Sequence, residues 1–159
     1  MNNPHRICLI LLLLVSSRLG AVALAEVPKG QAVHPLTLVL VKSTLIAVNH
    51  GNISGNYAVL RELGSERFQQ TNTPADLAAS FAELRRNKLD LSPILVTDPQ
   101  LTKPPAQDQE GRLHLEGYCP LLHNTIRFHL VYQTLPHGWL IDQISIAIVP
   151  QNQQPTSNR

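Results

Sequence analysis

The chain has 159 residues, 43% of them hydrophobic, with 13 Lys+Arg against 11 Asp+Glu and two cysteines. Arg6 and Arg18 fall in the first 25 residues, which contain no acid, so the remainder carries eleven residues of each sign. That balance excludes an electrostatic case for nucleic acid or an anionic membrane as partner, and the length suits one domain with one core.

The N-terminus reads as an export signal. Arg6 precedes the apolar run Ile7 to Val15, which Ser16, Ser17 and Arg18 interrupt before Ala23-Leu24-Ala25. A basic start, a short apolar stretch and an A-x-A exit describe a cleavable secretory signal peptide. A membrane anchor needs roughly 20 apolar residues, and this run is about half that. Residues 1–25 are therefore expected to leave, with no stable membrane anchor afterwards and a periplasmic or secreted product. Cys8 leaves with them. Cys119 is then alone, has no internal partner for a disulfide, and is expected to be buried.

Residues 26–35 carry Pro28, Gly30 and Pro35 and read as a flexible lead-in to a single domain over 36–149. Leu38, Val41, Leu45 and Val48 recur at helical spacing, and His50-Gly51 is the expected stop. Asn52 or Ser54 is the expected cap of a second helix bearing Tyr57, Leu60 and Leu63, ended by Gly64, with a turn through Phe68. Thr73, Pro74 and Asp76 then open a third helix with a capping box, continued by Leu77, Phe81 and Leu84. Arg85, Arg86 and Lys88 gather at its C-terminal end, where the helix dipole favours cations.

Beyond residue 88 the period becomes two. Leu89 to Val96 reads as a strand broken by Pro93, and 98–111 as a long loop with a brief extended piece at Leu101 to Lys103. Arg112–Tyr118, Thr125–Leu135 and Trp139–Val149 alternate as strands. In the last, Trp139 and Ile141 are out of step with Ile144, Ile146 and Ile148, which predicts a bulge near Asp142-Gln143. Residues 150–159 are polar and read as a disordered tail. The fold class is α+β: three N-terminal helices on a bent, mainly antiparallel sheet of about four strands.

Gly55 to Arg61, Leu77 to Arg85, Leu91-Ser92-Pro93 with Pro99 to Thr102, and Gly138 to Ile141 together resemble small exported bacterial proteins of the nuclear transport factor 2-like superfamily. The resemblance spans about Leu36 to Val149 and implies a cone-like, cystatin-related α+β fold. That fold hosts isomerases, dehydratases and dimerisation modules, so it does not fix the chemistry. Likeness to its isomerases implies Tyr57, Asp142 and Asp90 as an acid–base set, a buried Asp142 having its pKa raised by desolvation. The plainer reading makes Tyr57 a core aromatic and the aspartates turn or bulge residues.

No cofactor motif occurs, and no metal is assigned. His114 and His129 could meet across neighbouring strands, where a ligand set with Glu116 is conceivable; the plainer and preferred reading is a polar sheet face turned to water. Tyr57, Phe81, Phe128 and Trp139 are the candidate ligand-binding side chains. With no complete catalytic constellation, the preferred function is a non-catalytic module binding a small apolar ligand or forming a homodimer. The alternative is a cofactor-independent isomerase- or dehydratase-like enzyme.

Overall fold

The computed structural model describes residues 33–136 and 138–150. The signal peptide, most of the lead-in and all of the tail after Pro150 lie outside the described residues. Helix α1, Pro35–Ser54, opens on His34, whose ring nitrogen accepts from the Leu36 amide, with proline at the first turn. Val41, Leu45 and Val48 on its inward stripe have no solvent exposure. The helix is long and apolar enough to cross a bilayer, and these positions are packed in the core of the domain.

Helix α1 continues past the expected stop. Gly51 stays helical, and its missing side chain makes room for the Tyr57 ring: a Cβ there would come within 2.5 Å of that ring. Termination falls to Gly55, at φ 72° in the left-handed region, whose amide donates to the Gly51 carbonyl. The second helix, α2, is consequently short and late, Ala58–Glu62. The expected turn through Phe68 is itself a helix, α3, Glu66–Thr71, capped by the Ser65 hydroxyl accepting from the Phe68 amide. The Thr73–Asp76 capping box forms as expected and starts α4, Pro74–Ser80. The backbone leaves helical geometry at Phe81, whose ring stacks on Tyr57 at 5.8 Å, and resumes as α5, Ala82–Arg86. Five helical segments thus stand among the described residues where three were expected.

The strand expected at Leu89 to Val96 is a 3₁₀ turn, Ser92–Leu95. The Asp90 carboxylate accepts from the Ser92 amide and the Asn49 side-chain oxygen from the Leu91 amide, so local polar bonds take the backbone that a sheet would have used. Leu91 and Ile94 are fully buried beneath it.

Five antiparallel strands follow: β1 Gln100–Leu101, β2 Ala106–Gln107, β3 Leu113–Pro120, β4 Asn124–Leu135 and β5 Gly138–Pro150. The short β1 and β2 both pair with β3, β4 lies between β3 and β5, and β5 ends the sheet. The predicted extended piece near Leu101 is β1; β2 is additional. Between β4 and β5 the register is Leu130↔Ile144, Val131↔Gln143, then Tyr132↔Ile141. Asp142 is therefore the unpaired residue of a bulge, at the expected place.

Leu115, Cys119, Ile126, Phe128, Leu130, Tyr132 and Ile141 form the sheet's share of the core, with helix residues Leu60, Phe68, Leu77 and Leu84 against them. The Cys119 thiol is buried, as expected, and burial pushes its pKa up to about 12. The Tyr132 hydroxyl donates to the Leu40 carbonyl and accepts from Thr44, tying α1 to the sheet. Burial raises its pKa and keeps that donor protonated.

At Gly117 on β3 a Cβ would lie 2.2 Å from the Gln100 carbonyl oxygen and 2.8 Å from the Phe128 ring. The backbone of β1 cannot yield as a side-chain tip could. Gly117→Ala is expected to cost about 1–3 kcal/mol of stability by overpacking, measured by urea unfolding; an unchanged midpoint contradicts the close approach.

Candidate functional site

The bulge determines where Asp142 points. Its carboxylate accepts from the Ser65 hydroxyl at 2.7 Å, pairs with Arg67 at the start of α3, and meets Arg112 Nη1 at 3.4 Å. Its side chain is only 4% exposed. Burial is the largest influence on its ionisation and acts to raise its pKa. The hydrogen bonds from Ser65 and Arg67, with the charges of Arg67 and Arg112, together outweigh burial and hold the carboxyl below its ordinary value. The raised pKa expected of a general base at this position is therefore corrected: Asp142 is an ionised anchor for two arginines.

Arg112 extends the cluster across β4. Its Nε donates to Asp108 Oδ2 at 2.7 Å, and its Nη1 lies 3.2 Å from Glu110. Asp108 is further fixed by the amides of Glu110 and Arg112, each at 2.9 Å. Its Oδ2 also meets His114 Nε2 at 3.0 Å, and His114 Nδ1 lies 3.3 Å from His129 Nε2. The hydrogen bond from His114 is the largest cause holding Asp108 well below the usual carboxylate range. The result is a continuous polar chain from His129 through His114, Asp108 and Arg112 to Asp142 and Arg67. It runs over the sheet face opposite the core, above the buried Val131.

Tyr57, Asp90 and Asp142 do not come together through any hydrogen bond. Tyr57 donates to Asn52, accepts from Arg85 Nη1 at 2.7 Å and has the Arg85 guanidinium over its ring. Asp90 bonds to Asn49 and Ser92, and the Ser92 bonds hold its pKa below the ordinary value. Among the expected ligand-binding residues, Tyr57, Phe81 and Phe128 are buried in the core, and Trp139 packs half-buried against it. His114 and His129 meet as the strand pattern predicts. Glu116 stands opposite His129 in the register and is held by Lys103 at 2.7 Å.

Beside Asp142, between α3 and β5, lies a cleft of about 270 Å³ lined by Arg67, Phe68, Thr71 and Asn72 on one side and Asp142, Gln143 and Ile144 on the other. Ligand sites commonly fall at about 300–1,000 Å³, so this space is at the lower margin. Periodicity marks Asp142 and the two histidines in the sequence. The same alternation places Arg112 on the His114 face, whereas nothing in it marks Ser65, Arg67 or Asp108, which are brought in by a helix cap, a helix start and a loop with no pattern. No protein-family model, no curated protein and no solved structure matches the chain.

The depressed carboxyls of Asp108 and Asp142 set a sign for pH dependence. Both are ionised in the fold at neutral pH. Their contribution is fully present above the unfolded carboxylate value near about pH 4 and is lost as pH falls through the lower folded values. Asp142→Asn is expected to cost about 1–3 kcal/mol at pH 7 and progressively less as both proteins are acidified below about pH 4. Urea unfolding across that range measures it; an equal deficit at every pH contradicts the ionised anchor.

Proposed function

We propose that this chain is an exported, non-catalytic module that self-associates through the free edge of β5, with residues 1–25 acting as its signal peptide and the domain belonging to the cone-like, nuclear transport factor 2-like group. The edge carries the reading. Among the described residues, backbone bonds on the outer side of β5 occur at Ile141, which donates to the Leu63 carbonyl and accepts from the Ser65 amide. From Gln143 to Val149 no such bonds continue. That stretch has no charge and no proline, and Ile144, Ile146 and Ile148 on it are half-buried. Natural edge strands are usually blunted by lysine, proline or a bulge; here the bulge sits at the end already covered by α3.

A second copy is the natural occupant. A neutral strand pairs antiparallel with itself across a twofold axis without like-charge repulsion, and one patch serves both partners. Pairing would satisfy the free amides and carbonyls and extend cover over the three isoleucines. The acid–base alternative has less support, because Tyr57, Asp90 and Asp142 are each engaged with separate partners. Among the described residues, a small apolar ligand has the cleft beside Phe68 and Ile144 open to it.

Sedimentation velocity on the exported chain is expected to show a concentration-dependent dimer with the mass of a chain beginning at Glu26. Ala147→Glu puts a carboxylate opposite Arg127 within the fold, and brings two like charges close together at the paired edge. It is expected to be monomeric with unchanged circular dichroism. A wild-type monomer at every concentration overturns self-association. A small molecule retained in native mass spectrometry by such a monomer would transfer the reading to ligand binding.

A further inference from the structure

We infer that the outer face of the sheet binds a divalent transition-metal ion between His114 and His129. The two histidines lie on adjacent strands, diagonal to each other in the register, with His114 opposite Val131 and His129 opposite Glu116. His114 Nδ1 and His129 Nε2 are 3.3 Å apart. For metal–nitrogen bonds of about 2.0–2.1 Å, the edge of a tetrahedron is about 3.3–3.4 Å. Both nitrogens therefore already stand at the separation of two ligands of one ion.

The outer contacts of His114 favour the same use. The Asp108 carboxylate oxygen lies 3.0 Å from His114 Nε2 and accepts there, so that nitrogen carries the proton. In the neutral ring the lone pair is then on Nδ1, which accepts from His129 Nε2; an ion entering between the rings takes the place of that proton, which leaves to solvent or moves to His129 Nδ1. A carboxylate fixing the far nitrogen of a metal-binding histidine sets its tautomer and orientation and increases its basicity. Asp108 is itself held by the Arg112 guanidinium and two backbone amides. This arrangement is more rigid than two exposed histidines meeting by chance, and the His114 side chain remains 34% exposed, open to an ion from solution.

Among the described residues no three His, Cys, Asp or Glu side chains already converge on one point. The site therefore has two protein ligands, with water in the remaining positions. Glu116 is within reach as a third on release from Lys103, its side chain being 44% exposed. Imidazole ligands with open positions suit zinc, copper or nickel, whereas magnesium and calcium prefer oxygen. Arg112 is neutralised by Asp108, Glu110 and Asp142, while Arg127 and Lys103 oppose a cation on this face and limit affinity. Ser145, opposite His129 on β5, is neutral.

Titration of the exported chain with zinc chloride by calorimetry, and with copper(II) chloride by electron paramagnetic resonance, tests the site. One ion per chain is expected, with a copper spectrum showing coupling to two imidazole nitrogens. His114→Gln and His129→Gln are each expected to remove that binding while leaving the circular dichroism of the fold unchanged, since both side chains are off the core. Asp108→Asn is expected to weaken binding about 10–100-fold. His50→Gln, on the exposed side of α1, is expected to bind as wild type does. Absence of binding overturns the proposal. So does binding that survives both His114→Gln and His129→Gln, or that is lost in His50→Gln.

Discussion

The extra residue in β5 is the constraint on which much of this structure depends. Without a bulge, a strict period of two would put Trp139 and Ile141 on the opposite face from Ile144, Ile146 and Ile148. With Asp142 left out of the ladder, all five apolar side chains contribute to the core side. The same step leaves a carboxylate where the Ser65 cap, the first turn of α3 and Arg112 from beyond β4 converge. One insertion thus repairs the hydrophobic phase and fastens helix α3 to the sheet, and the Ser65 hydrogen bond with the Arg67 and Arg112 contacts keeps the carboxylate charged despite burial.

The two faces of the sheet consequently divide the work. The inner face is filled by aromatic and aliphatic side chains packed on the helices, and the polar groups there, Tyr132, Thr44 and Asn49, tie helix to strand or helix to loop. The outer face carries a relay of charged and titratable groups from His129 to Arg67. The proposed metal site lies on that face, and the proposed self-association uses the edge of β5. Nothing in this arrangement requires the core aromatics to open.

How much could be read from the sequence follows from where local physics dominates. The capping box at Thr73, the alternation of Leu113 to Tyr132 and the phase error around Asp142 are each short-range signals, and each corresponds to a real feature. The helix boundaries were harder because glycine has two uses. Gly51 makes room for the Tyr57 ring, and only Gly55 uses positive φ to stop the helix. Leu89 to Val96 has the composition of a strand, yet Asn49 and Asp90 capture its amides first. The candidate site was half legible. Arg112, His114 and His129 sit at matching alternation, whereas Asp108 reaches them from a loop and Ser65 and Arg67 from a helix that no periodicity announces.

Self-association through β5 makes the sharpest demand on the backbone. Hydrogen–deuterium exchange of the amides from Gln143 to Val149, followed as the exported chain is diluted, tests it most directly. If β5 pairs with a second copy, the outward-facing amides are protected at high concentration and exchange rapidly on dilution, while those bonded to β4 stay protected throughout. Rapid exchange of the outward-facing amides at every concentration would contradict it.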